Sequence, residues 1–140
     1  MANIKSYIDK LYKKHKTLDP YELADKLGII IHYANLKQTR GFCYTSHRIH
    51  QIFLNNNLPR HIEKFVLAHE IGHLIMHPKY NAPFLRSTFF SMDRYEIEAN
   101  NFATELIITD LDIMEHWDFT IDDWATYYGL PREIIELRFR

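Results

Sequence analysis

Residues 65–76 are apolar on nearly every side except at His69, Glu70 and His73, and this stretch constrains the fold more tightly than any other. A segment of that character belongs in the middle of a protein, as a central buried helix. Pro59 can open the helix because its missing N–H is not needed in the first turn, and Pro78 stops it, so the pattern predicts a helix from about 59 to 76. The rest of the chain must bury that helix and also satisfy polar groups that a core does not tolerate alone.

At 140 residues the chain predicts one domain, residues 1–140, able to bury a core without disulfides. Hydrophobic residues at 46% and charged residues at 25% exclude a disordered or fibrous chain. Lys plus Arg number 17 against 18 Asp plus Glu, a formal charge of -1, so no field draws in nucleic acid or an anionic membrane and direct nucleic-acid binding is not expected. The single cysteine, Cys43, has no internal disulfide partner, and the opening residues lack a basic region followed by a long apolar core. No apolar run approaches the roughly 20 residues that span a bilayer. The expectation is a soluble, cytoplasmic protein.

Ile4, Tyr7, Ile8, Leu11 and Tyr12 share one face of an N-terminal amphipathic helix. Asp19 and Pro20 read as the N-cap and first position of a second, short helix that Gly28 ends. Residues 29–33, 42–45 and 48–54 are β-prone, and the last segment alternates, so three strands forming a small sheet are expected. Residues 78–91 read as a loop, 92–108 as a helix, and 111–116, 121–128 and 131–139 as further short segments with Gly129 between the last two. The fold class is therefore α+β: a small three-stranded sheet packed on the central helix, with additional N- and C-terminal helices, the latter forming an extension at about 110–140.

His69-Glu70-Ile71-Gly72-His73 is an H-E-x-x-H pattern lying on the buried helix. Two His four apart are separated by about 400° of helical rotation, so both imidazoles leave the same face and can share one Zn²⁺. Glu70 is rotated about 100° from His69, better placed to hold water as a general base than to ligate. A catalytic zinc usually takes a third protein ligand. Glu96 shares a small, apolar face with Ala99, Asn100, Ala103 and Ile107, and a carboxylate on a core-facing surface needs a partner, which a metal supplies. Glu98, about 200° away beside Tyr95, Phe102 and Glu105, lies on a mixed face open to solvent at its Glu positions. Asn100 is placed to accept the N–H of a ligating His, and His77, four beyond His73, is a further candidate for that supporting role or for capping the helix.

Residues 67–77, Leu67-Ala68-His69-Glu70-Ile71-Gly72-His73-Leu74-Ile75-Met76-His77, together with Glu96-Ile97-Glu98-Ala99-Asn100-Asn101-Phe102-Ala103, resemble the ImmA/IrrE family of zinc-dependent metallopeptidases. Weaker resemblance extends over about 17–109; the tail is not specifically matched. The family pattern E-x-E-A-N-x-F-A implies that Glu96 is the metal ligand, in agreement with the face argument. Its usual ending, Leu-Leu-Met-Pro, is replaced here by Leu106-Ile107-Ile108-Thr109, a departure at a helix terminus rather than at the metal. The resemblance implies a small peptidase, often encoded by a phage or mobile element, that cleaves a helix-turn-helix transcriptional repressor and so acts as an anti-repressor.

The expected function is thus a zinc endopeptidase with Glu70 catalytic, His69, His73 and Glu96 on the metal, Asn100 and His77 supporting them, and a repressor as protein partner. Two rivals are a zinc-binding module that sequesters a repressor or toxin without hydrolysis, and a metal-free DNA-associated regulator using the helix-turn-helix-like tail. Against the last, Glu133 and Glu136 accompany Arg132 and Arg138 there, a balance that gives little phosphate affinity. Tyr95, His77 and Arg94 are candidates for an oxyanion donor by proximity in sequence. Cys43 reads as a small apolar filler, and His47, His50 and His61 as surface or core residues. The strand at 48–54 is a candidate edge for an extended peptide.

Overall fold

A computed structural model describes residues 3–78 and 94–140. In chain order the elements are α1 (Ile4–His15), α2 (Pro20–Lys26), β1 (Ile30–Ala34), β2 (Gly41–Ser46), β3 (Ile49–Asn55), α3 (Arg60–Met76), α4 (Arg94–Ile107), α5 (Asp110–Glu115), α6 (Ile121–Tyr128) and α7 (Arg132–Arg138). The architecture is α+β, as expected. The loop expected over 78–91 and the helix start expected at Met92 fall, apart from Pro78, outside the described residues.

Local chemistry accounts for the boundaries. Asp19 accepts the Glu22 N–H at 3.0 Å and caps α2, whose first residue is Pro20. Thr109 with Asp112, and Thr120 with Asp123, form reciprocal capping boxes that start α5 and α6. Gly129, in the left-handed region at φ 65°, ends α6 and turns the chain into α7.

The sheet has the order β1-β3-β2, with β1 parallel and β2 antiparallel to β3. Alternation along β3 sends Ile52 and Leu54 into the core, where Cys43 of β2 joins them. On the opposite face Phe53 stacks between its register partners His32 and Phe42, at ring-centroid distances of 4.5 and 4.8 Å. Residues 48–54 are therefore not an edge: β3 is hydrogen-bonded on both sides, and the outer strands are β1 and β2. Ile52 and Leu54 on the core face and Phe53, stacked between His32 and Phe42 on the other, give β3 packing on both faces and suit a central position.

Helix α3 packs on β2, β3 and α2 and, most extensively, on α4. The α3–α4 approach depends on Gly72, where a Cβ would lie 2.9 Å from Cδ1 and 3.1 Å from Cβ of the fully buried Phe102. Glu63 near the start of α3 is buried but not alone: it accepts hydrogen bonds from Tyr21 (2.5 Å) and Tyr33 (3.4 Å) and pairs with Arg60 (3.4 Å). Burial, followed by the adjoining Glu63 carboxylate, pushes the Tyr21 hydroxyl pKa up, so it remains a donor.

The C-terminal segments share the main core. Trp124, Leu130 and Ile135 are buried in one cluster with Leu11, Leu67, Phe102 and Leu106. Arg138 donates to the Ile108 carbonyl at 2.8 Å and to Asp110 at 2.8 Å, and Tyr128 donates to Asp112 at 2.7 Å, so α6 and α7 are fastened to the end of α4 and to α5.

Candidate metal centre

His69 and His73 leave α3 one turn apart, and α4, brought close by Gly72, carries Glu96 opposite them. His69 Nε2 lies 3.2 Å from His73 Nε2 and 3.4 Å from Glu96 Oε1, while Glu96 Oε2 contacts His73 Nε2. His73 is fully buried, Glu96 is buried and His69 nearly so. One atom from each of the three residues falls within a common 4.8 Å span.

The donor set fits a divalent metal ion. Nitrogen and oxygen ligands at about 2.0–2.1 Å from a tetrahedral centre are about 3.3 Å apart, close to two of the separations seen here. Two imidazole nitrogens and a carboxylate turned toward one point also form the kind of donor set that a divalent cation takes. Burial works against ionisation of Glu96, but the adjoining His69 and His73 imidazoles outweigh it and hold the carboxyl below the ordinary range. Glu96 is therefore held anionic beside the two imidazoles.

The neighbouring residues support these rings. Asn100, one turn after Glu96 on α4, places Oδ1 2.8 Å from His69 Nδ1. His77 Nδ1 lies 3.1 Å from His73 Nδ1, and its Nε2 is 2.8 Å from Glu98 Oε1. His77 has left the helical conformation, at φ -127° and ψ 59°, and its backbone N–H still caps α3 by donating to the His73 carbonyl. Glu70 is buried on α3 between the two motif histidines.

Two expectations change. Glu98 does not reach solvent: it is 9% exposed and bound to His77. Glu105 on the same face is half-buried, 3.6 Å from Arg138. The helical rotation was correct, but α4 is covered on both sides, by α3 and by the tail, so its second face is not solvent. Glu98 is the residue that sequence reasoning turned toward solvent; the signal available was a second carboxylate two residues from Glu96 and His77, already a candidate for a supporting role.

Of the candidate oxyanion donors, His77 is engaged with Glu98, Tyr95 packs its ring 4.4 Å from the His77 ring, and Arg94 lies 5.5 Å over Tyr95. Cys43 is buried in the core, His47 and His61 are exposed, and His50 is hydrogen-bonded to Thr45 at 2.9 Å. In the tail Arg132 pairs with Asp122 and, at 3.1 Å, with Glu136.

Among the described residues no helix is long and apolar enough to cross a membrane. Residues 24–140 match the IrrE N-terminal-like domain, so the family likeness runs through the tail as well as the motifs. The chain is 40% identical to "Uncharacterized immunity region protein 2" of Bacillus phage phi105, over 96% of this chain and 88% of the phage protein. It is 30% identical to "Metallopeptidase ImmA" of Bacillus subtilis (strain 168), over 96% of this chain and 83% of that protein. With a domain match over most of its length, a metallopeptidase relative at this identity and a His–His–Glu centre, the chain belongs to the ImmA/IrrE family of metallopeptidases.

Proposed function

We propose that the protein is a zinc endopeptidase that cleaves a helix-turn-helix transcriptional repressor and so relieves repression, with His69, His73 and Glu96 holding the metal. The observation carrying this reading is the convergence of His69 Nε2, His73 Nε2 and the Glu96 carboxylate at one buried point. Held by these three residues, zinc would supply Lewis acidity to the scissile carbonyl and to the attacking water. Glu70 takes the proton of the attacking water and passes it to the leaving amine. Asn100 Oδ1 accepts from His69 Nδ1 and holds that ring, and His77 packs its Nδ1 against His73 Nδ1, so both motif rings are braced on the side away from Glu96. Two imidazoles and one carboxylate would favour zinc.

The substrate class rests on the family resemblance and on the phage relative, whose name places it in an immunity region. The test is incubation of zinc-loaded protein with the helix-turn-helix repressor encoded nearest its gene, beside Glu70→Gln. The wild type should cleave, and Glu70→Gln should bind zinc equally and lose at least about a hundredfold in rate, the scale of general acid–base catalysis. Cleavage undiminished in Glu70→Gln contradicts the mechanism. Repressor neutralised without cleavage by both proteins would instead establish sequestration.

A further inference from the structure

We propose that the exposed apolar side chains of the tail, Leu111, Met114, Trp117 and Tyr127, form a docking surface for a Lys/Arg-rich amphipathic segment of the protein substrate. The proposal rests on the reading of that substrate as a DNA-binding repressor, since a chain that holds phosphates must present Lys and Arg. Trp117 is 82% and Met114 72% exposed, and Leu111 and Tyr127 are more than half exposed. Single exposed apolar side chains are ordinary on a surface, but these four come from two adjoining segments. Leu111 and Met114, three apart on α5, share its outer face, and Trp117 follows two residues after the helix ends. Tyr127 of α6 is brought to the end of α5 by His116, whose ring lies 5.1 Å from its own, and by Tyr128, which donates to Asp112. The tail fastens itself to the core with other residues, Trp124 among them at 2% exposure, and leaves these four outward.

Charge decides what fits there. Residues 109–131 hold six carboxylates, Asp110, Asp112, Glu115, Asp118, Asp122 and Asp123, and no Lys or Arg. Asp110 is engaged by Lys5 and Arg138 and Asp122 by Arg132, while Asp112 and Asp123 serve the two capping boxes. Glu115 and Asp118 are exposed, have no ion-pair partner among the described residues, and flank Trp117 closely in the chain. Three cations reaching in against six carboxylates leave an apolar patch with a negative rim. Such a rim repels nucleic acid and anionic lipid and attracts a segment whose Lys and Arg surround an apolar anchor. Exposed Trp, Tyr and Met are the side chains that concentrate binding energy at the centre of an interface, and the charges around them select the partner. A substrate held there presents its scissile bond to the metal centre at a raised effective concentration.

The test uses the zinc-loaded full chain and the repressor encoded nearest its gene. Kd is measured by titration in a Glu70→Gln background, which leaves the repressor uncleaved, and KM and kcat for cleavage are measured with Glu70 in place. Trp117→Ala should raise Kd and KM at least about tenfold and leave kcat unchanged. Glu115→Lys combined with Asp118→Lys should also raise both, and should remove most of the weakening that added salt produces in the wild type. Circular dichroism verifies that these surface variants are folded. A short peptide spanning only the cleaved bond lacks the docking segment, so wild type and variants should cut it equally. Unchanged Kd and KM in both variants, or peptide cleavage reduced as much as repressor cleavage, overturns the docking proposal and leaves the peptidase reading standing. A wild-type dimer in sedimentation that Trp117→Ala converts to monomer would make a second copy the occupant and overturn it as well. A repressor neither bound nor cleaved by the wild type would overturn the functional reading itself, and the proposal with it.

Discussion

Glu96 is a buried carboxylate that stays ionised because two imidazoles face it, and this has a consequence for metal binding in acid. Its folded-state pKa is lowered, against burial, by His69 and His73. Zinc bound as proposed would therefore displace no proton from Glu96 in mildly acidic solution, whereas each imidazole must be neutral to ligate. We expect the logarithm of zinc affinity, followed by chelator competition downward from about pH 6, to approach a limiting slope of about two per pH unit. A slope of about three would mean that the carboxyl competes for a proton and is not held low. His69, Glu70, His73 and Glu96 could be placed from sequence because helical rotation fixes which side chains share a face. Glu98 could not, since rotation gives a direction but not what packs there. The partner that covers it, His77, sits beyond the last helical residue of α3, where rotation no longer applies.

At the scale of elements, the site depends on the distance between α3 and α4, and Gly72 sets it. Gly72→Ala gains about 1 kcal/mol in helix propensity. It also drives a methyl group to within 3.1 Å of three Phe102 atoms that have no free space to yield, and overpacking of this kind costs about 1–3 kcal/mol. The expected outcome is a net destabilisation of about 1 kcal/mol in chemical denaturation, accompanied by weaker zinc binding as Glu96 moves from the histidines. A more stable variant with unchanged affinity would show that the helices can separate freely. The elements themselves were legible where a local signal marked them: Asp19-Pro20 for α2, Gly129 for the turn before α7, and alternation for β3. The position of β3 in the sheet was not, because pairing partners are chosen by the packing of both faces, which one strand's alternation does not reveal. The T-x-x-D boxes at Thr109 and Thr120 were readable chemistry that fixed two helix starts.

For the whole molecule, the tail belongs to the same core as α3 and α4. Trp124, Leu130 and Ile135 are buried against it, and each fully buried apolar side chain of this size contributes about 1.5–3 kcal/mol. Together these rival the total stability of about 5–15 kcal/mol typical of a domain. Truncation after Thr109 should therefore abolish cooperative unfolding by circular dichroism and also zinc binding; a folded, zinc-binding truncated chain would make the tail an independent appendage. The balanced tail charges were visible in sequence. That Arg138 spends its donors on the Ile108 carbonyl and Asp110 was not, since it depends on α7 folding back over α4. The central claim is that α3 and α4 together hold one metal ion. Elemental analysis of tag-free protein after zinc reconstitution and removal of loosely bound metal tests it most directly, with circular dichroism to verify folding. The prediction is about one zinc per chain in the wild type and almost none in a folded Glu96→Ala variant; equal zinc in both, or none in either, would contradict it.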